Sequence, residues 1–538
     1  MKPIKKILLF FVLANILLLT SCKKFNDFDK IASTSWNPNL AIPLAHSKFG
    51  VYDILAKLDS NDLFIINPNT GEIGLVYKSE IASFNASSII SLGDVNQNFT
   101  FSTADYNIPA TPNFPGNVNA NTTEVFQLNA PNNAELHTIS FKSGTLNFHL
   151  SNTLKHDVSI TFTFPNLLEN GIPVTRNIIQ TYNGTIPQVS DLQINLTDMQ
   201  GDFTLNNTSF NQMEIEIQTA IMGTGQEISG NETISIDMSL SNLTYHNVTG
   251  YLGQQIVAQE PDSVLIKIFQ NALGGVFQLN NPTIDFTIDN SFGFPIDITL
   301  NDLKSINTAT NVITPLLNYP TTIHVNYPTV MGQSETTNFE LNNNNTSNLS
   351  SIISPTPTYF YYERDAQANP NGQTAIPNFI EDDSKFTLTA EVNMPLNGLA
   401  YGFSISDTVD FKFNQDIDFI ESIMFRLIAD NGFPVLLATQ IRALDANNNT
   451  VFTIFDQPEN VIDPAPVDNN GVVIAPVRKI TDIHLNEAQI NQLKNVKKLI
   501  IYGEASTTEY QNGVSVKFFD YYQFGLKLAM QVQGSTSL

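Results

Sequence analysis

Four residues in one stretch have the spacing of a divalent-cation loop. Asp445, Asn447, Asn449 and Asp456 stand at positions 1, 3, 5 and 12 of an EF-hand-like pattern. Position 6 is Thr450 where that loop needs glycine, and the flanks alternate like strands. The stretch therefore reads first as a hairpin loop and second as a calcium site. Asp365 to Gly372 and Asp468-Asn469-Asn470-Gly471 also read as turns first. The seven histidines are His46, His137, His149, His156, His246, His324 and His484. No two have the i, i+4 spacing of a helical zinc site, and none lies in a His-Glu-x-x-His pattern. There is no Gly-x-Ser-x-Gly elbow and no phosphate-cradling glycine loop. Two carboxylates brought together in space would suffice for a glycosidase, but the sequence singles out no pair. The expectation is a protein that is not an enzyme and needs no cofactor, calcium being the one candidate ion.

Two aromatic runs could recognise a ligand or partner. They are Tyr359-Phe360-Tyr361-Tyr362 and Phe518-Phe519-Asp520-Tyr521-Tyr522. In a strand, alternate residues point to opposite faces, so about half of each run faces outward. Tyr359, Tyr361, Tyr362, Phe519, Tyr521 and Tyr522 are the candidates for an interface or a glycan platform.

The single cysteine, Cys22, has the most specific context. Lys2, Lys5 and Lys6 precede an apolar run from Ile7 to Leu19, and Leu19-Thr20-Ser21-Cys22 follows. This is the order of a signal peptide: charged, apolar, then small residues at a cleavage site. The run is short for a membrane span, which needs about 20 residues. Leu-Thr-Ser-Cys resembles the bacterial lipobox. That resemblance implies cleavage before Cys22, attachment of palmitate-type acyl chains to that cysteine, and a membrane as partner. With the thiol consumed, disulfides and thiol catalysis drop out. Lys23 stands where an aspartate would retain a lipoprotein in the inner membrane, which favours the outer membrane. Lys23 and Lys24 followed by Asp27 and Asp29 resemble the surface-export signal of Bacteroidota lipoproteins, so exposure at the cell surface is expected. Asp262-Ser263-Val264 and Asp407-Thr408-Val409 resemble the O-glycosylation tripeptide of Bacteroidota exported proteins, with Ser263 and Thr408 as acceptors.

Removing residues 1–21, which carry three lysines, leaves 517 residues and takes the formal charge from −25 to −28. Such a chain repels nucleic acid and anionic lipid. Hydrophobic residues make up 42% and charged residues 14%, a balance for packed cores and not for disorder. The length implies several domains.

The elements that would position these groups are mostly strands. Met213 to Gln218 and Ile234 to Leu240 alternate strictly, the mark of a half-buried strand. Short helices are expected at Val51 to Leu58 and at Glu487 to Asn495, the second capped by Asn486. Trp36 reads as an anchor packing the N-terminal segment. Phe148 to Thr161 repeats as Phe286 to Thr299 with a constant offset of 138. A second echo relates Glu169 to Val174 with Asp430 to Val435. These imply duplicated sandwich modules. The expected fold is all-β, with tandem antiparallel, immunoglobulin-like β-sandwich modules and one or two short helices. The expected divisions are a signal peptide 1–21, a lipidated tether 22–35, an N-terminal β region 36–145, sandwich modules 146–250 and 251–395, and a C-terminal β domain 396–538.

Trp36-Asn-Pro through Ile42-Pro43-Leu44, Gly250-Tyr-Leu-Gly253 and Asn290-Ser-Phe-Gly293-Phe-Pro295 resemble segments of large, uncharacterised Bacteroidota lipoproteins. The resemblance implies a flavobacterial type of envelope protein and no activity. The functional expectation is a non-catalytic binding or scaffold subunit of an outer-membrane complex, with a β-barrel protein as candidate partner and outer-membrane protein assembly or transport as candidate role. The alternative is a surface glycan-binding or adhesion protein, and the third a polysaccharide hydrolase.

Overall fold

The structure is a computed structural model. It describes residues 39–51, 53, 64–258, 260–266, 275–354, 356–411 and 420–534. Residues 1–38, including Cys22, the tether and Trp36, lie outside the described residues, as does most of the expected helix at 51–58.

The described chain is all-β, as expected, and its named strands pair antiparallel into sandwiches. It contains three modules built on one order of eight strands, some of which are broken into two segments in modules two and three. In module one the strands run, in chain order, Val95–Ser102, Asn117–Gln127, Glu135–Asn152, Asp157–Glu169, Ile172–Gln180, Gln188–Asn195, Gln212–Met222 and Thr233–Tyr251. Numbered one to eight, they form a four-stranded sheet of order 1-8-3-6. The facing sheet has the order 2-7-4-5. Two sheets wound in this way are a jelly roll, the double Greek-key form of the sandwich. Period-two alternation puts Phe148 of strand three and Phe162 of strand four into the interlayer, where their rings stack 4.5 Å apart.

Modules two and three repeat the same order. In module two, strand one (Ile73–Asn85) pairs with strand eight (Lys385–Pro395), which pairs with strand three (Thr283–Asn290), which pairs with strand six (Glu335–Leu341). Its second sheet sets Gln255–Ala258 and Asp262–Leu265 beside Tyr359–Ala368, then Ile296–Asn307, then Val312–Pro315 and Thr322–Val325. In module three the first sheet is Asn39–Gly50, Gln523–Gly534, Ile420–Asn431 and Val477–Leu485. The second is Phe403–Asp410, Lys498–Thr507, Val435–Leu444, then Thr450–Thr453 with Glu459–Ile462.

The modules are nested. Module one is inserted between strands one and two of module two, and that whole unit is inserted between strands one and two of module three. The linear division is therefore redrawn. The stretch 36–145 is no unit of its own, because its strands belong to three different modules. Residues 251–395 need Ile73–Asn85, and residues 396–538 need Asn39–Gly50, to complete their sheets.

The corner from strand three to strand four is the same in all three modules. Each strand three ends in a buried asparagine: Asn152, Asn290 or Asn431. Its side-chain oxygen accepts the N–H two residues on, from Leu154 at 2.8 Å, Phe292 at 2.9 Å and Phe433 at 2.9 Å. This Asx turn replaces the ladder partner that the backbone loses where the chain leaves one sheet for the other. The 138-residue repeat is this corner in modules one and two. The second echo does not relate equivalent places. Asn170-Gly171 is a two-residue hairpin between strands four and five, with φ of 52° and 78°. Asn431-Gly432 is the corner of module three.

A strand from module two, Asn378–Glu381, extends module one's sheet by pairing with strand eight at Asn247 to Gly250. A small sheet of Val276–Leu279, Asn397–Tyr401 and Val516–Lys517 ties module two to module three. Modules one and two share one continuous core, while seven of the buried apolar residues of module three form two small groups. The helix Glu487–Gln492 forms as expected, with a capping box between Asn486 and Gln489.

Candidate functional site

The outer face of the 1-8-3-6 sheet of module one carries a shallow depression of about 720 Å³. Its side chains follow from period two. Leu146, Phe148 and Leu150 point into the core, so Asn147 and His149 point out, and strands one, six and eight behave alike. Register then aligns the outward residues in rows. Asn98 lies opposite Asp237, Asp237 opposite His149, and His149 opposite Asp191. The next row is Asn96, Ser239, Asn147 and Gln193.

These side chains hold one another sideways. Asn98 Nδ2 donates to Asp237 Oδ1 at 2.6 Å and to Ser235 Oγ at 3.1 Å. Gln193 Nε2 donates to Asn147 Oδ1 at 2.9 Å. His149 Nδ1 lies 2.7 Å from Asp191 Oδ1, which places a proton on Nδ1 and leaves Nε2 a lone pair in the neutral ring. No described hydroxyl bonds Nε2, so this His–Asp pair lacks a nucleophile of the serine-hydrolase kind. Both carboxylates stand on an open face, without the burial that a glycosidase acid requires.

The sequence-derived candidates are scattered. Tyr362 and Phe360 are buried in module two, while Tyr359 and Tyr361 are half-buried on the outer side. Tyr362 OH donates to Asp262 Oδ2 at 3.1 Å, and burial pushes its phenol up to about 12. Tyr362 is thus a core residue and no platform. Lys304 Nζ sits 4.1 Å from the Tyr361 ring centroid and covers it. The second run is a turn leading into strand eight of module three, so strand alternation does not apply. Phe519 and Tyr522 are buried, and only Tyr521 stands clear, 59% exposed. Tyr522 OH accepts from Val473 N at 2.9 Å, and burial raises its phenol to about 12.

Asp445, Asn447 and Asn449 share the hairpin between strands four and five of module three. Asp445 Oδ1 accepts from Asn447 N and Asn449 N, both at 2.8 Å, and Asn448 takes a φ of 64°. Those backbone N–H groups hold the Asp445 carboxyl below the usual range. Asp456 follows the next strand, beyond the hairpin loop. Among the described residues no group of three or more His, Cys, Asp or Glu is placed to hold a metal. Ser263 and Thr408 are both exposed and occupy equivalent places. Each sits in strand two, at the edge of its sheet, opposite the third residue of strand seven: Tyr361 and Ile500. Among the described residues no helix is long and apolar enough to cross a bilayer.

No family model and no curated protein matches the chain. Solved structures give distant likenesses. A protein from Parabacteroides distasonis ATCC 8503 is 15% identical over 52% of this chain and 83% of its own, with a TM-score of 0.31. The cowpea mosaic virus top component is 7% identical over 56% of this chain and 88% of its own, with a TM-score of 0.16. The VP2 subviral particle of infectious bursal disease virus is 11% identical over 75% of this chain and 74% of its own, with a TM-score of 0.14. Scores this low carry no argument about function; the jelly-roll assignment rests on the strand pairing alone.

Proposed function

We propose that the chain is a non-catalytic outer-membrane lipoprotein, anchored through Cys22, that acts as a surface binding or scaffold subunit. The observation that carries this reading is the nesting. The first described strand, Asn39–Gly50, lies beside the last, Gln523–Gly534, in module three. A lipid at residue 22 therefore holds module three, and the strand pairings lead from there to module two and then to module one. Among the described residues no strand of module three pairs with module one. The inserted module is the one presented away from the tether, and its outer sheet face is the surface offered for recognition.

The test is an epitope inserted between Asn170 and Gly171, read by antibody on intact cells. The expected result is strong labelling that is lost in Cys22→Ala cells, where the chain leaves the membrane. Labelling only after the outer membrane is breached would overturn surface display. Gentle solubilisation followed by crosslinking tests the scaffold role. A stoichiometric β-barrel protein is the expected companion, and a clean monomer would leave ligand binding as the function of the exposed module.

A further inference from the structure

We infer that the depression on module one binds a neutral, hydroxyl-rich carbohydrate chain. The inference rests on the binding reading above and gives it a ligand class. The first observation is a contrast among three versions of one surface. The outward row five residues before the corner asparagine is Asn96, Ser239, Asn147 and Gln193 in module one. In module two it is Lys78, Glu391, Asp285 and Glu340. In module three it includes Ala529, Arg426 and Asp482. The two sibling rows carry charges paired across strands: Lys78 with Glu391 at 3.6 Å, and Arg426 Nη2 with Asp482 at 2.6 Å. Module one replaces those pairs with amides and a hydroxyl, so an outer sheet face of this architecture does not by itself dictate that composition.

The second observation is the chemistry of what lines the depression. No Lys or Arg is present, which leaves a phosphate or carboxylate ligand without a counter-charge. Asp237 and Asp191 are separated by the strand that carries His149. Two strand spacings put their backbones roughly 10 Å apart, too far to share one cation. Protein partners dock through aromatic or aliphatic anchors, and neither row has one facing outward. Remaining exposed are amide donors and acceptors, a serine hydroxyl, an imidazole lone pair and the second oxygen of each carboxylate, which takes no bond from the described residues. Sugar hydroxyls both donate and accept, so they match such a surface.

The third observation is fixation. The sideways bonds Asn98–Asp237, Gln193–Asn147 and His149–Asp191 already restrict these side chains, which lowers the ordering cost of binding. The rows cross four strands, about 14 Å from first to last, a footprint for a short stretch of chain more than for a single ring.

The experiment is calorimetric titration of the full lipoprotein, held in micelles of a sugar-free detergent. The probes are neutral trisaccharides of glucose and mannose in α and β linkage, with trigalacturonate as the anionic control. The expected result is binding of at least one neutral probe and none of the anionic one. Asp191→Ala and Asp237→Ala should each weaken that binding about tenfold, the loss of one hydrogen bond to a charged acceptor. Glu216→Gln, in strand seven of the opposite sheet, should leave it unchanged, and unfolding curves of all variants check that module one stays folded. No binding of any neutral probe, preference for trigalacturonate, or binding that survives both aspartate changes would overturn the inference. Shorter sugars appearing on long incubation would uphold the site and instead overturn the non-catalytic reading.

Discussion

Modules one and three wind the same eight strands in the same order, yet they solve the sandwich differently. Module one fills its interlayer with rings. Phe148, four residues before the corner, is 1% exposed and stacked on Phe162. The equivalent of Phe148 is Phe286 in module two but Leu427 in module three, where it is only partly buried beside a small cluster of Ala429, Phe524 and Leu526. The corners differ in the opposite sense. Asn431 Nδ2 donates to three carbonyls, Phe433 O, Val435 O and Asp463 O, each at 2.9 Å. Asn152 Nδ2 is buried and has no partner among the described residues. The innermost module is held by its core, and the outermost leans on polar stitching at its corner. The surfaces part as well: module three carries most of the cationic side chains of the two, and module one only Lys142, Lys155 and Arg176.

The largest effects should fall on the cores. Phe148→Ala is expected to destabilise module one by about 4 kcal/mol, and Leu427→Ala to destabilise module three by about 2 kcal/mol. Hydrogen exchange resolved by module reads the two separately. Equal losses would remove the contrast between a ring-filled and a loosely filled interlayer. At the corners the order should invert. Asn431→Ala removes four bonds and is expected to cost about 3 kcal/mol, whereas Asn152→Ala, which removes one, should cost about 1 kcal/mol.

These contrasts also mark what was legible in the sequence. The all-β class and the helix after Asn486 depend on local alternation and capping, and both were readable. The corner repeat was readable between modules one and two, because Phe148 and Asn152 match Phe286 and Asn290 in type and spacing. The third copy keeps the asparagine and changes the ring to leucine, so the eye paired Asn431-Gly432 with a hairpin that shares only its turn chemistry. Nesting was not readable at all. Asn39–Gly50 pairs with residues almost 500 positions away, and nothing local records that. The depression was hidden for the same reason: its rows exist only when four strands from distant stretches come into register. His149 stood within the Phe148 to Thr161 repeat, but nothing local joined it to Asp237 and Asp191. The second aromatic run misled because composition cannot tell a strand from the turn that Phe518 to Tyr522 forms, whereas the first is a strand and alternates as expected.

A pH scan sharpens the comparison without mutation of the core. His156 of module one is buried, and burial holds its imidazole below the usual range against the pull of Glu232 and Asp157. Its Nδ1 accepts from Thr224 N at 3.2 Å, so the ring is neutral with its proton on Nε2. The unfolded chain binds this proton near pH 6.5 and the folded one only lower. Stability should therefore be full above that value and decline as pH falls through it. The carboxyls held low by their partners, Asp430 by Arg478 and Asp482 by Arg426, act in the same direction but at the pH of carboxylates. Between about pH 6.5 and 5, module one should weaken and module three should not. His156→Phe should flatten that slope; a slope that persists would assign it elsewhere.

The smallest effects belong to the outer face of module three. Arg426 meets Asp482 through Nε at 2.7 Å and Nη2 at 2.6 Å, and Arg478 meets Asp430 at 2.6 and 3.0 Å. Both are two-point pairs, the geometry in which arginine bonds carboxylate best. Both are also open to water, where screening and side-chain ordering offset most of the attraction. Arg426→Gln and Arg478→Gln should each cost far less than Asn152→Ala, and the cost should vanish in high salt. Charge on this face would then be a matter of solubility and spacing between strands, with little hold on the fold. A loss several times larger, insensitive to salt, would mean that module three depends on its surface pairs as module one depends on its rings.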